Sequence, residues 1–309
     1  MNTKQVKKLD IVNNWLFKKI FASPADKQPI IHLIRDILEL PVKDLEILNP
    51  FDISYFRNAK SEELQYTECD VLVRLQDNTM VVVELQNEPQ KYFIQRAFYY
   101  GTRAFGDNYG NVSLARLNPT THGWKFSSLY PTYVLSIVNF PLFTDSRPFR
   151  QFPLCEPNSS DLLLTDDQYE LFNPAFLELQ KPGSGKIKMW QDCLLHGIAG
   201  EEAPDYIQKI IQMSNYANWS KEEKDVFDQV EKAREDAAAT RRYAVEQGWK
   251  EGLHLGLEQG IEQGIEQGIE QGIEQGILTV AKTMLAEGSS IDYTVQVTGL
   301  PKEKILSFH

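Results

Sequence analysis

The stretch "CDVLVRLQDNTMVVVELQ", residues 69–86, specifies the centre of the predicted fold, because it holds two apolar runs around a short polar turn. Runs rich in valine and leucine that are bounded by Asp-Asn-Thr predict two neighbouring strands. The second run is apolar almost throughout, which is typical of a central strand. Three polar residues, Asp70, Glu84 and Gln86, nevertheless stand at the ends of these runs.

The flanking sequence predicts helices on both sides of these strands. Two segments with apolar residues at helical spacing precede them, separated by a Ser-Pro break, and Pro41 ends the second. Residues 89–106 predict a helix that opens with Pro89 in its first turn. Residues 45–50 and 132–140 predict two further strands. We therefore expect an α/β core over residues 1–200, with a mixed central sheet flanked by helices.

The rest of the chain predicts a helical extension of this core. Residues 161–245 have a predominantly helical pattern, and residues 201–245 are expected to pack on the core or to follow it. Residues 246–280 contain glycine at every fourth position. Residues 281–309 resemble a small helix-turn-helix, either a DNA-recognition element or a capping or dimerising subdomain.

The glycine repeat has two open interpretations, a helix or a flexible spacer. A period of four is close to the helical 3.6, so glycines and isoleucines would each form a winding stripe. Interior glycines cost about 1 kcal/mol each in a helix relative to alanine, so packing against a helix of the same or a second chain is needed as compensation. The helical interpretation therefore predicts a homo-oligomer that forms through this repeat. The glycines stand at positions 248, 252, 256, 260, 264, 268, 272 and 276.

Composition restricts the class of protein. The three cysteines (Cys69, Cys155 and Cys193) are far apart, so neither a disulfide framework nor a zinc site is indicated. The five histidines form no cluster in the sequence (His32, His122, His196, His254 and His309). No stretch approaches the roughly 18 apolar residues of a membrane span. We therefore expect a cytoplasmic protein with no membrane partner.

Net charge neither shows nor excludes a nucleic-acid partner. The total is −11, but residues 201–309 carry 20 Asp and Glu against 11 Lys and Arg. The first two hundred residues are close to neutral, which leaves room for a local basic patch.

The polar residues of the two strands are expected to share one face of the sheet. Residues two apart in a strand point to the same side, so Glu84 and Gln86 do so. A two-residue turn at positions 77–78 would turn Asp70 to the other side. An odd-numbered loop or one bulge instead pairs Asp70 with Gln86 and Leu72 with Glu84, which brings the polar groups together.

Two carboxylates on neighbouring strands point to a divalent cation. Such groups lie about 5–8 Å apart and resist burial unless a cation neutralises them. Oxygen ligands favour Mg²⁺ or Mn²⁺, which activates water and stabilises charge on a phosphate. Two structural alternatives remain open: Asp70 as a turn residue, and Glu84 as the buried partner of Arg74 or Arg96.

These residues resemble the PD-(D/E)XK nuclease family transposases, also called recombination-promoting nucleases. Asp70, followed after thirteen residues by Glu84-Leu85-Gln86, resembles the superfamily's catalytic signature, with Gln86 where lysine is usual. Glu-x-Gln is common in this family. The resemblance covers most of residues 10–245 and continues into the repeat. It is carried by "NNWLFKKIFA" (13–22), "EILNP" (46–50), "ELQ" (84–86), "QRAFYYGTRAF" (95–105), "YPTYVLSIVNF" (130–140) and the "EQG" tail.

The resemblance implies a restriction-endonuclease-like core and a metal-dependent DNA endonuclease. It implies that Asp70 and Glu84 bind Mg²⁺ or Mn²⁺, with the Leu85 carbonyl as a candidate additional ligand, and that Gln86 orients the attacking water. The family usually has aspartate three residues before "FK", where this chain has Asn14.

A neutral glutamine cannot supply the positive charge of the usual lysine. Arg96 and Arg103, on one helical face with Tyr99 between them, are the nearest candidates for that charge. Gln95 and Tyr99 also resemble the Gln-x3-Tyr helix motif of exonuclease-like branches of the superfamily. We therefore predict DNA or phosphate contacts at Gln95, Arg96, Tyr99 and Arg103.

Three functions are compatible with these features. The first is a metal-dependent DNA endonuclease acting in recombination, transposition or mobile-element biology. The second is a catalytically weak or inactive nucleic-acid-binding module, indicated by Asn14 and by the missing lysine. The third is an assembly protein driven by the tail, residues 246–309.

Overall fold

The computed structural model describes residues 10–49, 51 and 70–308, and the structural statements below concern these residues. Pro50, Cys69 and His309, which were considered above, lie outside them. The chain divides into two compact units, Met1–Arg234 and Glu235–His309.

A six-stranded mixed sheet forms the centre of the first unit, as predicted. Its spatial order is β1-β2-β3-β4-β6-β5. Strands β3, β4 and β6 run parallel, whereas β1 with β2, β2 with β3, and β5 with β6 pair antiparallel. The strands are β1 (Leu45–Ile47), β2 (Val71–Leu75), β3 (Met80–Gln86), β4 (Thr132–Val138), β5 (Phe149–Gln151) and β6 (Phe172–Glu178).

Helices cover both faces of this sheet, which confirms the predicted α/β class. Within the described residues, the α-helices that begin in the first unit are α1 (Asn14–Phe21), α2 (Gln28–Ile37), α3 (Phe93–Gly106), α4 (Gly185–Gln191), α5 (Asp205–Met213) and the long α6 (Lys221–Ala286). Helix α1 begins at Asn14 because the Asn13 side chain accepts a hydrogen bond from the Leu16 N–H.

Strand β3 is buried on both sides, as its apolar run predicts. Val81, Val83 and Leu85 belong to the large core shared with α1, α2, α4 and α5. The alternate residues Met80 and Val82 face α3. Glu84 and Gln86 continue this second set, so they lie on the α3 side of the sheet.

Helix α3 lies unusually close to the sheet. A Cβ atom at Gly101 would lie 2.3 Å from Cγ2 of Val134 and 2.8 Å from Cζ of Phe172. The neighbouring contact residues Ala97 and Ala104 are also small and buried. Small side chains therefore bring α3 and its polar residues close to the even-numbered positions of the strands.

Two predictions about individual elements were wrong. Residues 172–178 were expected within a mainly helical region, but they form β6, which pairs with both β4 and β5. Pro174 in this run and its lack of β-branched residues hide the strand. The third predicted helix starts at Phe93 rather than near Pro89, because Tyr92 has a φ of 65° and interrupts the backbone there.

The second unit contains most of α6, with α7 (Ile291–Thr298) and α8 (Lys302–Leu306). The glycine repeat is helical throughout and forms part of α6. Gly299, with a φ of 69°, forms the turn between α7 and α8. Lys304 Nζ lies 2.7 Å from Glu274 Oε1, and Ile305 and Ala281 are buried, so the two short helices fold back onto the end of α6.

None of the helices in the described ranges combines the length and the apolar content needed to cross a membrane.

Candidate metal centre

The loop between β2 and β3 determines which face carries Asp70. It consists of residues 76–78 and is closed by the Leu75 N–H, which donates to the Thr79 carbonyl at 2.8 Å. Asn78 adopts the left-handed conformation, with a φ of 67°. A three-residue loop of this kind is odd-numbered, so even-numbered residues of both strands share a face.

The pairing within this hairpin differs from the prediction. Leu72 pairs with Val82 and not with Glu84, so that prediction was wrong by two residues. Continuing the observed register by one residue places Asp70 opposite Glu84 and not opposite Gln86. A shift of two residues keeps the same face and brings the two carboxylates closer than predicted.

Backbone hydrogen bonds join the two acidic residues. The Leu85 N–H donates to Asp70 Oδ2 at 2.7 Å, and the Glu84 carboxylate accepts a hydrogen bond from the Asp70 backbone N–H. Only 5% of Asp70 and 4% of Glu84 is exposed. The hairpin therefore holds two buried carboxyl groups against each other.

Burial and mutual repulsion raise the pKa of both groups. Loss of hydration raises the pKa of Asp70 above its usual range, although Lys18 and the Leu85 N–H oppose the shift. Burial and then the Asp70 charge raise the pKa of Glu84 to about 8. A pair of acids that is costly to ionise in the apo protein is typical of a functional site.

Two cations face the acidic pair, one on each carboxylate. Lys18 Nζ of α1 lies 3.8 Å from Asp70 Oδ1, and Arg96 Nη2 of α3 lies 3.7 Å from Glu84 Oε2. Arg96 is one of the two arginines that the sequence analysis gave as a partner for a buried Glu84, and the structure contains this contact. The other alternative partner, Arg74, lies 3.1 Å from Glu46 instead.

Lys18 is the site residue that the sequence analysis missed. Its side chain is only 13% exposed, although it belongs to an exposed residue type. The available signal was its position in "NWLFKKIF", between the buried Phe17 and Ile20. A lysine on the border of an apolar helix face usually extends to solvent, so this signal was weak.

Gln86 links β3 to α3. Its Oε1 accepts a hydrogen bond from Arg96 Nη2, and its Nε2 donates to the Glu88 carbonyl at 2.9 Å. Arg96 Nη1 donates to Gln90 Oε1. The Gln86 side chain is therefore fixed next to Glu84, with a second N–H on Nε2 that these contacts do not use.

The other predicted DNA contacts lie along α3. Gln95, Tyr99 and Arg103 are exposed on that helix. The Tyr99 ring lies 5.8 Å from the Tyr100 ring. Of the four predicted contact residues, Arg96 is brought to the acidic pair, whereas the described contacts do not bring the other three there.

Asn14 ends a row of side-chain amides and is not brought to the acidic pair by any described contact. Asn87 Nδ2 donates to Asn14 Oδ1 at 3.1 Å, Asn139 Nδ2 to Asn87 Oδ1 at 3.4 Å, and Gln180 Nε2 to Asn139 Oδ1 at 2.6 Å. Asn87, Asn139 and Gln180 each follow the carboxyl end of a parallel strand. The row therefore runs along that end of the sheet.

The donor set fits a hard divalent cation. Two carboxylates converge, and Glu84 Oε1 is buried without a hydrogen-bond partner in the described part of the chain. An orphaned carboxylate oxygen of this kind is expected where a ligand binds. The described residues contain no group of three or more His, Cys, Asp or Glu side chains that could hold a metal. A cation at this pair would therefore have two carboxylates, Asp70 and Glu84, and would need carbonyl or water oxygens to complete its shell.

Comparison with known proteins agrees with this geometry. The sequence model of the PD-(D/E)XK nuclease family transposases matches residues 11–244, which include the whole sheet and the acidic pair. No curated protein and no solved structure matches the chain. The matched segment covers well over half of the chain, and the chain therefore belongs to the PD-(D/E)XK nuclease family transposases.

Proposed function

We propose that the protein is a metal-dependent DNA endonuclease that hydrolyses phosphodiester bonds in recombination, transposition or mobile-element biology. The observation that carries this proposal is the convergence of two buried carboxylates, Asp70 and Glu84, with an orphaned oxygen on Glu84. Membership of a nuclease family supports it independently.

In the proposed site, Asp70 and Glu84 hold Mg²⁺ or Mn²⁺, and the Leu85 carbonyl is the predicted additional ligand. The ion supplies positive charge to the phosphate and makes water a stronger nucleophile at neutral pH. Gln86 orients the attacking water through the Nε2 N–H that Glu88 does not accept. Arg96 holds Gln86 and Glu84 in place from α3.

Lys18 supplies the cation that Gln86 cannot. Its ammonium group lies at the acidic pair, on the Asp70 side. With a divalent ion held by Asp70 and Glu84, Lys18 would lose part of its attraction to the Asp70 carboxylate. Its ammonium group would then be able to stabilise the charge that develops on a phosphate oxygen.

Helix α3 is the proposed DNA-facing surface. Arg96 ties this helix to the site, and Gln95, Tyr99 and Arg103 continue along its exposed side. Arginine and glutamine side chains bind phosphate and sugar oxygens, and an exposed tyrosine stacks on bases.

Plasmid cleavage tests the proposal. Purified protein is incubated with supercoiled plasmid and Mg²⁺ or Mn²⁺, beside the shape-conserving variants Asp70→Asn and Glu84→Gln. Each variant is expected to lose metal-dependent nicking, because each removes one anionic ligand. Glu201→Gln, an exposed carboxylate in a turn, is the matched control and should cleave like wild type.

The endonuclease proposal is contradicted if wild type shows no metal-dependent nicking, or if both variants nick like wild type. Retained binding of the plasmid fragment in a gel-shift assay would then favour the inactive nucleic-acid-binding module. This second function is indicated by Asn14, which binds Asn87 and stands where the family usually has aspartate.

The tail is proposed to bind a second copy of the chain. Four repeat isoleucines, Ile261, Ile265, Ile269 and Ile273, are 55–59% exposed, whereas Ile277 is half-buried, and the repeat glycines have open space around them. A stripe of period four winds around its helix, so a partner with the same period follows it best. Light scattering should show a lower mass after deletion of residues 246–309, and an unchanged mass would contradict the proposal.

The proposed location of the nuclease is the cytoplasm, as expected from its widely spaced cysteines.

A further inference from the structure

A buried serine lies beside Glu84 on the next strand. Ser136 of β4 is the register partner of Glu84 in the parallel pairing of β3 and β4. Register partners on adjacent strands point to the same face and lie about 5 Å apart. Ser136 therefore flanks Glu84 on the side opposite to Asp70, under helix α3.

Ser136 and Glu84 each have a buried oxygen without a partner. Ser136 is fully buried, and its Oγ makes no hydrogen bond within the described part of the chain. Glu84 Oε1 is in the same condition. A buried hydroxyl and a buried carboxylate oxygen that remain unpaired are both unfavourable, and a donor next to an acceptor is the simplest way to satisfy both.

The other polar side chains near Ser136 on this face of the sheet already have partners. Gln86, on the diagonal on β3, bonds to Arg96 and to the Glu88 carbonyl, and Glu178, on the diagonal on β6, bonds to Lys181 and to the Leu142 N–H. The residues two before and two after it on β4, Val134 and Val138, are buried and apolar. On β6, its register partner is Phe176. Glu84 is therefore the polar group among its register neighbours.

We propose that the Ser136 hydroxyl donates to Glu84 Oε1, directly or through one buried water, and so positions Glu84 as a metal ligand. The inference rests on the proposed function, because it concerns the same metal. Ser136 is a positioning residue, since it acts through Glu84. Hydrogen bonds to ligating carboxylates fix their orientation, and loss of such a partner typically weakens metal affinity about 10–100-fold.

The affinity for Mn²⁺ is the direct test. The full-length chain is titrated with Mn²⁺ and the free ion is followed by electron paramagnetic resonance. Ser136→Ala is expected to weaken binding about 10–100-fold, whereas Ser136→Thr keeps the hydroxyl and the affinity. The activation curve for cleavage should shift to higher Mn²⁺ with little change of kcat at saturation.

Thr132→Val is the matched control. Thr132 belongs to the same strand and face, is fully buried, and also has an unpartnered hydroxyl, but its register partner is Met80. Its removal should leave Mn²⁺ affinity unchanged. A general effect of losing a buried hydroxyl from β4 would instead weaken binding in both variants and would overturn the inference.

A double-mutant cycle in EDTA tests the contact without metal. Ser136→Ala and Glu84→Met, which removes the acceptor oxygen, are combined, and the unfolding equilibrium constants should show a coupling of about tenfold. A wild type that does not bind Mn²⁺ removes the proposed function and this inference with it. If wild type binds, unchanged affinity in Ser136→Ala overturns the inference alone.

Discussion

Replacing Glu84 with glutamine should stabilise the metal-free protein. The folded environment raises the pKa of Glu84 from 4.5 to about 8, through burial and the charge of Asp70. A carboxyl group with a raised pKa binds its proton more tightly in the folded state than in the unfolded chain. The free energy of unfolding therefore falls as pH rises from about 4.5 to about 8.

The size of this effect follows from the shift. At pH 7, Glu84 is ionised in the unfolded chain and mostly protonated in the folded one. Stability therefore falls over the roughly 2.5 pH units between the unfolded pKa of 4.5 and pH 7. At 1.36 kcal/mol per unit, wild type is destabilised by about 3 kcal/mol at pH 7 and by more at pH 8. Glutamine has no charge to bury, so Glu84→Gln should be more stable by a similar amount.

Urea unfolding in EDTA between pH 5 and pH 8 is the assay, with tryptophan fluorescence as the signal. Trp15, Trp190 and Trp219 are buried in the first unit, so they report on the core that contains the site. The stability difference between Glu84→Gln and wild type should be small near pH 5 and grow with pH. Glu201→Gln should follow wild type throughout.

Addition of Mn²⁺ should reverse the order of stability. A ligand at a thousandfold its dissociation constant stabilises the folded state by about 4.1 kcal/mol, which exceeds the difference of about 3 kcal/mol at pH 7, and this gain should be confined to the protein that keeps Glu84. The reasoning is refuted if Glu84→Gln is less stable than wild type at pH 8 in EDTA. That result would make Glu84 a structural partner of Arg96.

Three other experiments test separate parts of the structure. Lys18→Met should lower the cleavage rate about 100-fold in the plasmid assay. Adding Gln86→Lys to that variant should restore part of the rate, because a lysine at position 86 replaces the lost positive charge at the site. No restoration would contradict the role of Lys18. Gly101→Ala should lower the free energy of unfolding by about 1–3 kcal/mol in urea, since its Cβ would lie 2.3 Å from Val134; an unchanged value would show that α3 can move away. Gly264→Ala should lower the mass in light scattering, because its Cβ meets nothing within 4 Å in the single chain but would separate the helices of the proposed oligomer; an unchanged mass, with a higher circular dichroism melting temperature, would place that glycine outside the interface.

The order of the central elements could be predicted because it depends on local patterns. The apolar runs of β2 and β3 and the polar turn between them specify a hairpin, and an odd loop puts the acidic residues on one face. The exact partner of Asp70 could not be predicted, because registers that differ by two residues bury the same side chains. The conformation of Asn78 decides between them, and it is a property of the folded turn.

The missed elements depend on tertiary contacts. Strand β6 contains Pro174 and has no alternating pattern, so only its place between β4 and β5 accounts for its extended conformation. Lys18 reaches Asp70 because α1 packs against the sheet, and the direction of a lysine side chain cannot be deduced from helix periodicity alone. The candidate site was therefore predictable in its acids, its amide and Arg96, and not in Lys18.

Because the glycine repeat has a period of four, the number of repeats determines the direction in which the helices after it point. Each Ile-Glu-Gln-Gly unit lengthens α6 by about 6 Å and advances it by about 400°, so one added unit turns everything after it by about 40°. About nine units complete a full rotation. A chain with one unit more or fewer would thus present α7 and α8 in a new direction relative to the start of the repeat, whereas a repeat matched to 3.6 residues would change only the length.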